Sequence, residues 1–211
     1  MGGGPLPDVK PRFFDFILLV VAGDSDEIRR RLSADPSLAT ASLEAGATRQ
    51  AASTFFLADI SHYAYAGDTA LHLAAAAFRR PIAELLVADG ADCRAKNRRG
   101  AEPLHYAADA NHRDPESQAD VIEYLASAGA DPNAVDRSGV APLHRAVRTR
   151  SLSAVRALVE AGADPMRRNK AGSTPLHLAL HDTGRAGTGS QQARDEQAAI
   201  IRFLLEHGAI A

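Results

Sequence analysis

One short motif recurs four times along the chain and constrains the fold more than any other feature. Its copies begin with glycine and read Gly-Asp-Thr-Ala-Leu-His, Gly-Ala-Glu-Pro-Leu-His, Gly-Val-Ala-Pro-Leu-His and Gly-Ser-Thr-Pro-Leu-His. The histidines that end them are His72, His105, His144 and His177, with separations of 33, 39 and 33 residues. A period of this length predicts stacked repeats, each of which buries its apolar face against its neighbours.

A second signature runs in step with the first. Gly-Ala-Asp closes three successive units and Gly-Ala closes the fourth, at Gly90, Gly129, Gly162 and Gly208. The order of a Thr-Pro-Leu-His-like start, an Ala-Ala pair, a Leu-Leu-like segment and a Gly-Ala ending resembles the ankyrin repeat family. The resemblance implies an all-α solenoid of helix-turn-helix units with short β-hairpin fingers.

The repeat landmarks divide the chain into seven segments. The N-terminal part is predicted to contain a disordered leader over residues 1–12, a divergent capping repeat over 13–36 and an aromatic-rich insertion over 37–66. The remainder is predicted to form ankyrin repeats over 67–97, 98–136, 137–169 and 170–211. The leader is assigned from its successive glycines and its prolines, which favour irregular chain.

The third and fifth units are longer than the others, and alignment places their extra residues between their two helices. The extra residues fall within 109–119 and 181–192, and the second insertion is glycine-rich. Both insertions are therefore expected at the same edge of the stack. Neighbouring helices lie about 8–10 Å apart, so both loops can extend over the fourth unit, above Arg148 and Arg150.

The 37–66 insertion contains Phe55, Phe56, Tyr63 and Tyr65. One hypothesis is a short helix around residues 53–60 that covers the join between the capping repeat and the next unit. The other is an exposed aromatic anchor for a partner, because aromatic side chains are favoured at the centres of interfaces. The sequence leaves both hypotheses open.

The composition argues against nucleic acid and membranes as partners. The formal net charge is −2 and the isoelectric point is near 6.4, so the chain has no global attraction for anionic surfaces. The apolar segment 13–22 is too short to span a bilayer and is interrupted by Asp15. The single cysteine, Cys93, cannot form an intrachain disulfide, which favours a reducing cytoplasmic location.

Catalytic and metal chemistry finds little support. The resemblance implies that the repeat histidines hydrogen-bond backbone groups in adjoining turns, and rings one repeat apart cannot share a zinc ion. The glycine-rich run 183–190 lacks the Gly-Lys-Ser/Thr ending of a phosphate-binding loop. No known metal or nucleophile motif includes the polar insertion residues Asp109, His112, Asp114, Glu116, His181 and Asp182. We therefore expect no enzyme, no cofactor and no metal, with a small-molecule or metal-dependent site between the insertions, over Arg148 and Arg150, as the alternative.

The family resemblance also implies where a partner binds. Ankyrin proteins commonly contact partners through the hairpin positions beside the repeat glycine and the two positions after the Ala-Ala pair. The matching residues are Tyr65, Asp68, Arg98, Arg99, Asp109, Arg137, Ser138, Arg148, Lys170, Ser173, His181 and Asp182. Arg98, Arg137 and Lys170 occupy one equivalent position in successive units. We therefore expect a non-catalytic protein–protein interaction module whose fingers and concave inner-helix face bind an acidic partner.

The last predicted helix is more apolar than a solvent-facing terminal unit requires. Residues 200–205 read Ile-Ile-Arg-Phe-Leu-Leu, and Ile210 follows. Exposed apolar surface usually marks a contact. We expect this end face to pair with a second copy as a homodimer, or to be covered by further chain beyond Ala211.

Overall fold

The repeats form helical pairs stacked in chain order. The structure, a computed structural model, describes residues 11–109, 114–181 and 190–210. Its helices are α1 (Pro11–Ala22), α2 (Ser25–Ala34), α3 (Ala70–Ala76), α4 (Arg80–Ala88), α5 (Pro103–Ala107), α6 (Pro115–Ser127), α7 (Pro142–Thr149), α8 (Leu152–Glu160), α9 (Pro175–Leu180) and α10 (Gln191–Glu206). The odd-numbered helices form an inner row in which each contacts the next, and the even-numbered helices form an outer row in the same way. This two-layer array confirms the predicted all-α solenoid.

The leucines of the two repeat signatures form the interior. The inner helices bury Leu71, Leu104, Leu143 and Leu176, and the outer helices bury Leu86, Leu125, Leu158 and Leu204. Alanines that follow the histidines are also buried, and their small side chains let adjacent inner helices approach closely. The core is therefore a continuous row of shared interfaces rather than one central cluster.

The inner helices begin in two different ways. The hydroxyls of Thr69 and Thr174 accept the backbone N–H groups of His72 and His177, as N-caps do. At the equivalent positions, Glu102 accepts no such bond from its helix and Ala141 has no acceptor to offer. The two middle repeats therefore depend more on the histidine that follows than on a capping side chain.

The first three repeat histidines each join their own unit to the next one. The fourth, His177, stays within its own unit, with its Nδ1 atom 2.6 Å from the hydroxyl of Thr174. The Nδ1 atom of His105 accepts the N–H of Glu102, so its Nε2 carries the proton and donates to the carbonyl of Val140, 3.0 Å away. His72 and His144 make the same pair of bonds in their units. Burial, and then the charge of Arg145, lowers the pKa of His105 to about 4. The ring is therefore neutral at pH 7, as its two opposite hydrogen-bonding roles require.

The turns around Gly67, Gly100, Gly139 and Gly172 form the first to fourth fingers, and adjacent fingers are bonded to one another. Arg137 N donates to Arg99 O at 2.9 Å and Lys170 N donates to Ser138 O at 3.1 Å. Asp136 closes its own finger by accepting the N–H groups of residues 138 and 140. Gly139 has φ +72°, and a Cβ on it would lie 2.8 Å from Lys170 N, so the contact between fingers requires glycine there.

The aromatic-rich insertion adds a segment to this row of fingers. Leu43 exchanges backbone hydrogen bonds with the first finger, donating to Asp68 O at 2.9 Å and accepting from Gly67 N at 2.7 Å. Ala47 N donates to Ala64 O at 2.8 Å, in the same antiparallel register. Residues 42–47 therefore cover the edge of the first finger that would otherwise face solvent.

The rest of the insertion differs from the expected short helix around residues 53–60. Two 3-10 turns, Ser53–Phe55 and Ala58–Ile60, flank the strand β1 (Phe56–Leu57), which pairs antiparallel with β2 (His62–Tyr63). The chain reverses through Ser61, which has φ +48°. This reversal buries Phe55, Leu57 and Ile60 on one side, which a straight helix of the same length would not achieve.

At the N-terminus, α1 starts at Pro11, inside the segment expected to be a disordered leader. Residues 1–10 of that segment lie outside the described residues. The helix packs on α2, on α3 and on the second 3-10 turn of the insertion. Phe14 and Phe55 meet edge to face with ring centroids 5.8 Å apart, which fixes the insertion to the first helical pair.

Candidate functional site

Exposed cations lie on consecutive fingers. Arg98, Arg137 and Lys170 are exposed, and we call these three residues the basic finger row. Arg98 N donates to Ala66 O at 2.9 Å, and the other two residues are linked to the preceding finger by the bonds described above. Residues 166–173 add Arg167 and Arg168 and contain no acidic residue. The fingers therefore present local positive charge on a chain whose formal net charge is −2.

Tyr65 is a platform for two arginines at the start of this row. The guanidinium carbons of Arg98 and Arg99 lie 5.4 Å and 4.9 Å from the centroid of its ring. Arg98 also donates a hydrogen bond to the carbonyl of Ala47. Cation–π contacts of this kind hold the two side chains over the ring.

Two more predicted finger residues have backbone roles. Ser138 is exposed, and its carbonyl accepts the N–H of Lys170. Ser173 is half-buried, and its carbonyl accepts a bond from His144 Nε2 at 3.1 Å. Both residues therefore connect repeats through their backbone carbonyls, which a substitution of the side chain would leave in place.

Asp68 offers no surface to a partner, because it is completely buried. Its carboxylate accepts the Tyr106 hydroxyl, with 2.8 Å to Oδ1, the Asn97 amide at 2.8 Å and the Tyr65 N–H at 2.6 Å. Asn97 belongs to the second finger and Tyr106 to α5. The predicted contact residue therefore fixes the first finger to the next unit from inside.

Asp109 is likewise engaged within the chain. Its carboxylate lies 2.8 Å from Arg145 Nη1, and Arg145 Nη2 lies 3.1 Å from Asp136. Arg145 is on α7, whereas Asp109 follows α5 and Asp136 lies in a finger. The guanidinium thus bridges two carboxylates, one from the neighbouring unit and one from its own finger. The three residues are half-buried, and we call them the Arg145 triad.

The charges of the Arg145 triad stabilise one another. Desolvation is the largest single effect and would raise the pKa of Asp109, but the interactions of its carboxylate with Arg145 and His62 together outweigh desolvation and hold that pKa below its ordinary value. For Asp136, desolvation is outweighed by the N–H groups of residues 138 and 140 and by Arg145, so its pKa is also lowered. The pKa of Arg145 is raised, because the two carboxylates more than compensate for its burial. All three groups are therefore charged at pH 7.

His62 of the insertion covers this part of the inner helices. Its ring contacts the Tyr106 ring at an interplanar angle of 44° with centroids 4.6 Å apart, and its Nε2 lies 3.9 Å from Asp109. Tyr106 is almost completely buried, and His62 itself is 9% exposed. The insertion therefore occupies inner-helix surface beside the third unit that a partner could otherwise contact.

The aromatic residues of the insertion divide between the two expected roles. Phe55 is buried against the first helical pair, whereas Phe56 and Tyr63 are 41% and 39% exposed. Their rings contact each other across the β1–β2 pair, with centroids 4.9 Å apart. The insertion thus both covers the join between the first units and displays aromatic surface.

The helix-turn edge contains a cavity of about 420 Å³. Residues at the N-terminal ends of the outer helices line it, together with the turn between α7 and α8: Asp114, Pro115, Gln118, Thr149, Arg150, Ser151, Leu152, Ser153, Gln192 and Glu196. Arg148 and His181 lie beside it around a much smaller hollow. Asp182 and His112, which belong to the two insertions, lie outside the described residues.

Within residues 11–109, 114–181 and 190–210, no group of three or more His, Cys, Asp and Glu side chains is arranged to hold a metal ion. The first three repeat histidines direct their ring nitrogens at backbone groups of their own and the next unit, and His177 directs Nδ1 at the Thr174 hydroxyl. The pattern of one histidine per repeat therefore has a structural explanation.

Sequence reasoning missed Arg145 and its partner Asp136. Tyr106 and Arg145 both follow a repeat histidine, at the position where the other units have Leu73 and Leu178. A polar residue at a position where other units have leucine needs a polar partner when it is buried. The change from leucine is therefore the signal that could have revealed the bonds of Tyr106 with Asp68 and of Arg145 with its two carboxylates.

The stacked helical pairs and bonded fingers define a helical-repeat solenoid. The family model for ankyrin repeats (3 copies) matches residues 53–136 and 115–210, well over half of the 211-residue chain. The chain belongs to the ankyrin repeat family, whose domains are typically non-catalytic protein–protein interaction modules. None of the curated proteins compared with the chain matches it. In the described part of the chain, no helix is long and apolar enough to cross a membrane.

Removing the central cation of the Arg145 triad should destabilise the fold. We predict that Arg145→Met lowers the free energy of unfolding by about 2–4 kcal/mol at pH 7, because two desolvated carboxylates lose their counterion while retaining slight solvent contact. Urea unfolding monitored by circular dichroism measures the loss. Arg148→Met, at an exposed position of the same helix, is the control and should change stability by less than about 0.5 kcal/mol.

The pH dependence distinguishes lost charge from lost packing. The lowered pKa values of Asp109 and Asp136 stabilise the wild type fully above the unfolded pKa of about 3.9, and this contribution is lost as the pH falls through the folded values. In Arg145→Met, desolvation remains while the cation is gone, so the two pKa values should rise. The deficit of the variant should then shrink between pH 7 and pH values near 4. A deficit that stays constant over this range would contradict the electrostatic explanation.

Proposed function

We propose that the chain is a non-catalytic module that binds an acidic segment of a protein partner along its fingers. The observation that supports this proposal most directly is the basic finger row, with exposed cations on three consecutive fingers. Finger residues that serve the interior, such as Asp68, are not part of the proposed contact surface. The partner would therefore meet Arg98, Arg137 and Lys170 first.

Charge segregation supports an acidic partner. Residues 94–101 contain four basic residues and no acidic one, although Lys96 lies 3.6 Å from the buried Glu102. Next to Arg137, the carboxylate of Asp136 forms its salt bridge with Arg145 and therefore does not neutralise the exposed Arg137. Complementary charge on a partner would set its register along the fingers and raise the association rate.

The rigidity of the fingers supports a binding role. Each finger is closed by an Asn or Asp side chain and bonded to the preceding finger, so the cations stand on backbone that is already ordered. Asn97, Asp136 and Asn169 are the closing residues. Little backbone entropy is then lost on association, which leaves more of the interaction energy as affinity.

We also propose that the chain acts without a cofactor or metal, contacts neither nucleic acid nor membrane, and functions in the cytoplasm. The net charge of −2 supports the absence of nucleic-acid binding, because a nucleic-acid-binding surface is usually strongly basic. The unpaired Cys93 supports a cytoplasmic location.

Charge reversal tests the basic finger row. We expect Arg137→Glu/Lys170→Glu to weaken partner binding at least tenfold, because two favourable contacts become repulsive. Arg98 is left intact, since its contacts with Tyr65 and Ala47 would confuse binding with folding. Quantitative affinity capture from cell lysate should show proteins retained by the wild type and depleted in the variant. The retained proteins should bind through segments rich in Asp and Glu.

The matched control is Arg29→Glu/Arg202→Glu, which makes the same change in net charge on exposed positions of α2 and α10. It should retain the partners that the wild type captures. Equal capture by the wild type and both variants would contradict the proposal, as would loss in both variants. Binding that does not weaken with rising salt would also count against charge recognition.

The cavity at the helix-turn edge favours a second candidate function, the binding of a small molecule or metal over Arg150. Its volume lies within the range of small-molecule sites, and it combines apolar and polar lining groups. If this candidate is correct, inorganic phosphate, Mg²⁺ or Zn²⁺ at millimolar concentration should raise the melting temperature of the chain. Arg150→Gly, which suits the φ of +58° at this position, should abolish the rise. No rise with any of these probes would contradict the candidate.

We further propose that two copies can pair through the C-terminal end face. Leu205 and Ile210 are 51% and 68% exposed, which supports an apolar contact. Sedimentation equilibrium should then show a concentration-dependent dimer that Leu205→Glu/Ile210→Glu converts to monomer. A wild type that remains monomeric at high micromolar concentration would contradict pairing.

A further inference from the structure

The exposed aromatic surface of the chain is concentrated in one place. The chain has seven phenylalanines, four tyrosines and no tryptophan, and all of these aromatic residues lie within the described ranges. Phe56 and Tyr63 are the exposed ones among them, and their rings touch. Single exposed apolar residues are common on protein surfaces, but two exposed rings in mutual contact form a joint apolar surface.

This ring pair is held by residues on the opposite side of its strands. Leu57 and His62, which pair with each other beside Phe56 and Tyr63, are buried. Successive side chains of a strand point to opposite faces, so burial of one pair fixes the display of the other. The rings are therefore presented by an anchored hairpin and need little ordering before they make a contact.

The ring pair continues into the cations of the fingers. The chain stays extended after β2, since Ala64 donates its N–H to Phe55 and accepts one from Ala47. His62 and Ala64 are buried, whereas Tyr63 is exposed and Tyr65 is half-buried, so the two tyrosines share the outward face. Residues two apart on an extended chain are separated by about 6.5–7 Å. Tyr65 in turn lies under Arg98 and Arg99.

We propose that Phe56, Tyr63, Tyr65, Arg98 and Arg99 form an aromatic–basic docking strip at the N-terminal end of the finger row. Its occupant is a protein segment with an apolar anchor, aromatic or leucine, followed by carboxylates. The anchor packs on the Phe56–Tyr63 pair, and the carboxylates meet Arg98 and Arg99. This inference rests on the proposed function, because the acidic part of the segment continues along the basic finger row.

Charge complementarity decides for a protein segment over a single-stranded nucleic acid. Aromatic rings beside arginines can also stack nucleobases. A nucleic acid needs neutralisation along its whole backbone, however, whereas the cations here belong to the fingers of a chain with a net charge of −2. A short acidic segment requires only the local charge that the strip and the finger row offer.

Selection from a random peptide display library against the full chain tests the strip. We expect enriched peptides that combine an aromatic residue or leucine with Asp or Glu a few positions away. Phe56→Ser/Tyr63→Ser should weaken their binding at least tenfold, measured by fluorescence of a tryptophan placed in the peptide, since the chain itself contains none. The control Leu18→Ser/Leu180→Ser removes two exposed apolar side chains elsewhere and should leave binding unchanged.

Each other outcome has a defined meaning. A selection without binders, binders that lack the apolar–acidic combination, or binders indifferent to Phe56→Ser/Tyr63→Ser would overturn the strip, as would competition by oligo(dT). Circular dichroism and urea unfolding must show that Phe56→Ser/Tyr63→Ser retains its fold. A second variant, Tyr63→Arg, removes one ring and adds a positive charge. If it still binds the acidic peptides, charge alone determines binding and the strip is overturned. Loss of binding in Phe56→Ser/Tyr63→Ser but not in Arg137→Glu/Lys170→Glu would retain the strip and reject the finger row. The reverse pattern would retain the finger row and reject the strip.

Discussion

The imidazole that bridges two repeats is the interaction on which the array depends. In each of the first three repeat motifs, the histidine accepts a backbone N–H from its own helix start and donates to a carbonyl in the next finger. The position of a finger is therefore set by the inner helix that precedes it. Because the fingers are also bonded to one another, the surface that faces a partner follows from contacts deep between the units.

The residues that could be predicted from sequence are those that repeat. The leucines, the histidines and the glycines recur in the same order in every unit. The structure buries the leucines and gives the glycines positive φ angles in each of them. The insertion could not be predicted in this way, because nothing in the chain repeats it. Its buried Leu57 and His62 alternate with the exposed Phe56 and Tyr63 over only two residues in each strand, which is too short a pattern to distinguish from a helix.

The candidate partner-binding residues likewise divide into those that repeated positions predict and those whose role depends on contacts between units. The exposed Arg137 and Lys170 were identified by position alone, since the family relates equivalent finger residues. Asp68 and Asp109 stand at comparable positions but are used inside the chain, by Tyr106 and Arg145. Their partners lie 38 and 36 residues away along the sequence. Contacts at this separation depend on how adjacent units stack, which a motif that describes one unit does not specify.

The insertion adds contacts between units that are not nearest neighbours. In a simple repeat protein each unit contacts only its nearest neighbours, so stability is a sum of unit and interface terms. Here Phe55 packs on α1, residues 42–47 extend the first finger, and His62 reaches Tyr106 two helical pairs beyond α1. These contacts connect the first three units directly, so their energies cannot be separated into nearest-neighbour contributions. We therefore expect the N-terminal units to unfold together, with the more regular repeats attached to them.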